Sequence, residues 1–286
     1  MMKAILLKFS LVLALSLGFL SQVSVGEASP MNKRLSGQGH SLAISQKVSV
    51  APAPVSLQAQ RRGVAAGRRF VPRRMMETNR RFLYTIKASY PQIVSAKDVN
   101  AVQFNRVVKD LITEHVNGFK KDFPEPDPET PKGMQDNSFD ASYTVDYSGP
   151  DLISVSFSIS TYYAGAAHPN HYSVVLNYDL KAGRTLELSD LFKPRSNYMH
   201  AISDYAIRAL KKKLGPDPDT EWIERGAGPD SENYKSWNIT RRGLAVTFDP
   251  YQVASYAEGQ HVIVIPYAAL RNVINTEGPL GPLVGK

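Results

Sequence analysis

The 286-residue chain contains no cysteine. That absence removes disulfide frameworks, thiolate zinc sites, iron–sulfur clusters and cysteine nucleophiles in one step. The sequence also has no Gly-x-Ser-x-Gly elbow, no Walker phosphate loop and no Gly-x-Gly-x-x-Gly fingerprint, so it offers no motif for serine hydrolysis, nucleotide binding or hydride transfer. Long apolar runs are missing too. The stretch from Phe9 to Val25 is broken by Ser and Gln and falls short of the ~20 residues that span a bilayer. Histidine is scarce, at six residues, and only His168 and His171 stand close together. Such a pair supplies two ligands at most, and no spacing selects a third from Asp179 or Glu187, so no metal and no other cofactor is expected. The acids Asp217, Asp219, Glu221 and Glu224 lie in a polar stretch with nothing apolar to raise a pKa, and they read as solvated. No catalytic residue is therefore expected.

What is present is an uneven charge. The formal net charge is +8, yet residues 29–81 carry eleven Lys and Arg against the lone Glu77, and residues 82–286 carry 21 cations against 24 acids, a net of −3. The N-terminus has two lysines, an apolar segment from Phe9 to Leu20 and small residues at Ser24, Gly26 and Ala28, the pattern of a signal peptide over residues 1–28. The expected location is extracytoplasmic, periplasmic or secreted, with no transmembrane anchor after cleavage and nucleic acid excluded as a partner of the basic arm. Residues 29–81, rich in Arg, Pro and Gly, bury too little apolar surface to offset chain entropy and read as a disordered linker. Its Arg pairs suit anionic envelope polymers or lipid headgroups.

The body reads as an α+β fold, an antiparallel sheet with helices packed on one face, over residues 82–275, divided at 137/138 and followed by a flexible tail over 276–286. Phe139, Ala141, Tyr143, Val145 and Tyr147 alternate with polar residues. After Ser148-Gly149-Pro150-Asp151 the alternation resumes in Ile153, Val155, Phe157 and Ile159 against Ser154, Ser156, Ser158 and Ser160, which predicts a hairpin with one buried face and one wet serine face. Helices are predicted from about Asp98, with Phe104, Val108, Leu111, Ile112, His115 and Phe119 inward, and after a Ser196 cap to Lys213. Two tyrosine-bearing connections, Tyr162 to Asn170 and Asp249 to Gly259, offer aromatic contact surface. The partner-binding candidates are Tyr162, Tyr163, His168, Pro169, Asn170, Tyr251 and Tyr256.

The same two connections carry a resemblance. Tyr163-Ala164-Gly165-Ala166-Ala167-His168-Pro169 resembles a Tyr-x-Gly-Gly-Ala-His-Pro motif, with Ala166 in place of the second Gly. It is followed in order by Asn177-Tyr178-Asp179-Leu180-Lys181-Ala182-Gly183-Arg184, by Phe248-Asp249-Pro250-Tyr251 with Tyr256 and Gly259, and by Ile265-Pro266-Tyr267. With Tyr90-Pro91 and Phe104-Asn105 upstream, this series is similar to the extracytoplasmic PdaC/RsiV-like domain family. The resemblance implies an α+β binding or sensing module whose partners include lysozyme-like proteins and peptidoglycan. Here the expectation is a stand-alone exported module with no companion catalytic domain. The competing expectations are a metal-dependent cell-wall hydrolase using His168 and His171, and a structural envelope protein held by its basic arm.

Overall fold

The computed structural model describes residues 68–94, 96, 98–121, 123 and 136–284. The segment read as a signal peptide, and the stretch read as linker up to residue 67, lie outside the described residues. Six strands form one sheet in chain order: β1 (Phe70–Asn79), β2 (Tyr84–Ile93), β3 (Asn137–Ser148), β4 (Leu152–Tyr162), β5 (Asn170–Asp179) and β6 (Arg184–Thr185). Helix α1 (Val99–Lys121) joins β2 to β3. That crossover makes β2 and β3 parallel, while every other neighbouring pair in the sheet is antiparallel. A second sheet, β7 (Trp237–Ile239), β8 (Leu244–Phe248) and β9 (His261–Ile265), is an antiparallel meander. It packs with helices α2 (Tyr198–Lys213) and α3 (Thr220–Gly226) and the short turns α4 (Tyr267–Leu270) and α5 (Gly281–Val284). The fold class is α+β, as the strand and helix order predicts.

Each sheet has its own core. Phe104, Val108, Ile112, Val116 and Phe119 recur along one face of α1 and lie against Ile86, Phe139, Ile153, Val155, Phe157 and Ile159 of the large sheet. Leu111 and His115, read from the sequence as inward, are only half-buried at the flank of that stripe. The second core gathers Ile202, Ala206 and Leu210 of α2 with Ile223, Trp237, Val246, Phe248, Ile265 and Leu270. The α2 cap is Asn197 rather than Ser196. Position 137/138 lies at the start of β3, inside the first sheet, because the apolar face of α1 lies against both β2 and β3.

Three other expectations change. The strand β1, with Arg73 and Arg74, belongs to the stretch read as linker. Its backbone pairs with β2 along the whole length from Phe70↔Ile93 to Asn79↔Tyr84, and Phe70 and Met75 reach the first core, so a few apolar residues and a hydrogen-bonded edge order an arginine-rich segment. The tail is anchored as well: Leu280 is 1% exposed, and Leu283 and Val284 pack on the second core. The third change concerns the hairpin. A β-bulge lies between Val145 and Tyr147, so that Val145 faces Val155 but Tyr147 faces Ser154. One extra residue turns the strand over. Tyr147 thereby leaves the α1 face and packs on the second core.

The serine face is accordingly not uniformly wet. Ser158 is exposed, but Ser154 is fully buried where β7 crosses the end of β4 and β5. There the Ser154 hydroxyl donates to Asn177 Oδ1 at 2.6 Å and accepts from Asn238 Nδ2 at 2.9 Å and from the Ile239 backbone N–H at 3.1 Å. Asn177 Nδ2 donates to Trp237 O at 2.7 Å. These buried bonds join the two sheets.

Ser154→Ala should strand the Asn238 amide and weaken the fold by about 1–3 kcal/mol, read as a lower urea midpoint. Asp146, the bulged residue, gives a second test. Burial pushes its carboxyl up from 3.8 to about 6 against opposing hydrogen bonds from Ser156, and its Oδ2 has no partner. A carboxyl with a raised native pKa favours the fold below pH 3.8, and that contribution is lost as the pH climbs through about 6. Asp146→Asn should flatten the pH dependence of stability across this window and raise stability at pH 7 by about 1–3 kcal/mol.

Candidate functional site

The β4–β5 connection leaves the large sheet at Tyr162 and turns through Ala166 N to Tyr163 O at 3.0 Å. Gly165 takes the left-handed backbone, φ +85°, with open space around it. Ala166 is not among the residues with positive φ, so alanine fits where the related motif has its second glycine. The β8–β9 connection starts at Asp249, whose carboxylate accepts from Ser173 N at 3.0 Å and Ser173 Oγ at 2.7 Å and so ties this loop to β5. Gln252 Nε2 donates to Gly226 O and Asn233 O. Gly226 allows that approach, because a Cβ there would lie 1.8 Å from Gln252 O.

These ties bring the two loops into one aromatic tip. The His168 ring stacks on Tyr256 at 3.8 Å between centroids and 24° between planes. Tyr256 OH donates to Pro169 O at 2.8 Å. Tyr251 lies 5.5 Å from Tyr256, and its hydroxyl is 3.4 Å from His168 Nε2. His171 lies on the same side, 6.2 Å from Tyr256. Tyr251 is 55% exposed and holds a left-handed φ of +69°. A non-glycine residue costs about 1–2 kcal/mol there, offset in part by the Trp222 indole N–H donating to Tyr251 O at 3.0 Å.

Of the seven residues singled out from the sequence, the tip unites His168, Pro169, Tyr251 and Tyr256. Tyr163 and Asn170 lie elsewhere: they line a cleft on the α1 side of the large sheet with His115 and Tyr172. Tyr163 packs against Phe119 and Phe123. Tyr162, half-buried, joins neither group. Sequence reasoning missed Trp222, which braces the tip from outside both loops, and Gln252, which lies within the second loop and ties it to Gly226 and Asn233. Trp222 stood out as one of two tryptophans, in a polar segment with no strand or long helix to claim it. As for metal chemistry, no three His, Asp or Glu side chains converge among the described residues, and both ring nitrogens of His168 face oxygen atoms, those of Pro169 and Tyr251.

Two linked cores with an aromatic tip between them define a two-part α+β module, and sequence comparison gives each part a relative. Residues 77–171 match the family model described as deacetylase PdaC, and residues 189–268 match that of a protein family of unknown function, DUF3298. The two matches follow one another along the chain, the PdaC match first and the DUF3298 match second. A curated protein similar to this chain is the peptidoglycan-N-acetylmuramic acid deacetylase PdaC of Bacillus subtilis, 25% identical over 175 residues, which are 61% of this chain and 37% of the relative. The chain thus spans well under half the length of that enzyme. Among solved structures, a DUF3298-family protein of Bacteroides fragilis superposes with a TM-score of 0.56 at 20% identity, covering 77% of this chain and 99% of the other. A DUF3298-family protein of Pseudomonas aeruginosa gives 0.49 at 15% identity over 72% of this chain and 94% of that one. The first of these shows the shared fold.

Tyr251→Gly should relieve the strained backbone and raise stability by up to about 1 kcal/mol in thermal unfolding. Tyr256→Phe, which loses the bond to Pro169 O, should lower it by about 0.5–1.5 kcal/mol.

Proposed function

We propose that this protein is an exported, non-catalytic binding module whose aromatic tip engages a lysozyme-like protein at the cell envelope. The observation that carries the reading is Tyr251, a large exposed side chain kept on a strained backbone in a cluster built from two distant loops around Tyr256. Strain of this kind is concentrated at functional positions. A rigid, protruding tyrosine and histidine surface suits a protein partner, since such side chains supply large contact area at low entropic cost. The body's net charge of −3 is compatible with a basic partner, although three charges steer only weakly at physiological salt. Similarity to PdaC, whose name refers to peptidoglycan, supports an extracytoplasmic setting. The signal segment and the basic arm supply export and attachment to an anionic envelope polymer.

No helix among the described residues is long and apolar enough to cross a membrane. The test is calorimetric titration of the mature chain with a muramidase, beside a pull-down on insoluble peptidoglycan. Tyr251→Ala and Tyr256→Ala should each weaken muramidase binding at least about tenfold, the size of a hot-spot loss. Absence of muramidase binding with retention on peptidoglycan would transfer the role to the envelope polymer. Absence of both would remove the binding reading.

A further inference from the structure

The cleft on the α1 side of the large sheet is separate from the aromatic tip and belongs to no part of the proposed partner surface. It has a volume of about 720 Å³, within the range of small-molecule sites. One wall is the C-terminal half of α1 and the other is the end of β4 with the start of β5. Phe119, Tyr163 and Tyr172 give it aromatic surface. Tyr172 OH lies 3.3 Å from His115 Nδ1, and the two rings are 5.7 Å apart, so both are fixed before any ligand arrives. Burial holds the His115 imidazole below its usual pKa, with Glu114 opposing, which favours the neutral ring.

A second observation comes from the helix itself. Gly118 lies inside α1, where glycine costs about 1 kcal/mol relative to alanine without a compensating contact. Among the described residues a Cβ at Gly118 would meet nothing within 4 Å, so no close approach of another element calls for glycine there. The residue neither packs closely nor turns the chain, and the space in front of it is the cleft. The missing side chain keeps that wall open.

The lining selects among ligands. Asp110 and Glu114 outnumber Lys121, which disfavours anions such as phosphate esters or uronic acids. The polar share of the wall excludes a purely apolar ligand. Asn117 and Asn170 line opposite walls, and an asparagine amide can pair both the N–H and the C=O of another amide. Aromatic rings beside neutral hydrogen-bonding groups match a molecule with apolar C–H faces and hydroxyl edges. We infer that this cleft is a glycan-binding site for a short oligosaccharide of uncharged, amide-bearing hexoses.

The test uses the mature chain and tetra-N-acetylchitotetraose, followed by calorimetry and by the NMR shifts of α1 amides. Saturable binding is expected, with shifts at Asn117 and Gly118. Gly118→Leu fills the opening and should weaken binding by about tenfold or more, with a melting temperature equal to or above that of the parent because leucine is the better helix former. Asn170→Ala, on the opposite wall, should weaken binding by about tenfold as well. No saturation up to about 10 mM, or binding indifferent to both substitutions, overturns the assignment. So does preferential uptake of a trilysine peptide, which would make the cleft a site for cationic side chains. A failed muramidase titration leaves this test intact, and retention on peptidoglycan that is lost in Gly118→Leu but kept in Tyr251→Ala belongs to the cleft and not to the tip.

Discussion

The arrangement of this molecule depends on one buried hydroxyl. Ser154 joins the edge of the second sheet to the first through Asn177, Asn238 and the Ile239 backbone, in a position with no access to water. An apolar seam of the same area would permit sliding, since dispersion and area burial are not directional. Hydrogen-bonded partners in a desolvated place do not slide, because each displaced donor loses a bond it cannot recover from solvent. The aromatic tip inherits that fixed register. His168 and Pro169 come from the first core, Tyr251 and Tyr256 from the second, and the 3.8 Å stacking of His168 on Tyr256 requires the two bodies to meet in one alignment.

Much of the scaffold was legible in the residues. The alternation from Phe139 and from Ile153 marked a hairpin, and the apolar spacing from Phe104 to Phe119 marked a helix, because period two and period 3.6 are local properties. The bulge was not legible. Asp146 continues the polar alternation of β3 without interruption, and only the demand of the second core for Tyr147 shows why the strand turns over there. Ser154 likewise looks identical to Ser156 and Ser158 in sequence; its burial comes from β7, more than 80 residues away. The arginine-rich segment misled for a related reason. Charge and proline content describe a chain in isolation, whereas β1 is held by the edge of β2, whose exposed backbone would otherwise lack a partner.

At the site, residue type was informative and residue grouping was not. The tyrosines and the His-Pro-Asn turn were visible as unusual loop content, but period-two geometry sends Tyr162 and Tyr163 to opposite sides of the sheet. Tyr163 consequently belongs with α1, and His115, which spacing places among core positions, turns out to line a cleft with it. Gly118 carried a signal in sequence, a helix breaker inside a helical pattern, that gains meaning only when the space around its missing side chain is known.

The two matched families meet in the chain between residues 171 and 189, but the physical partition is less clean. Adjacent residues of β4 serve different interiors: Leu152 packs with the second core and Ile153 with the first. A strand shared in this way is a party wall. Neither half can lose its interior without exposing an apolar side of the other, so the two domains that evolution records as separate names should melt as one cooperative body.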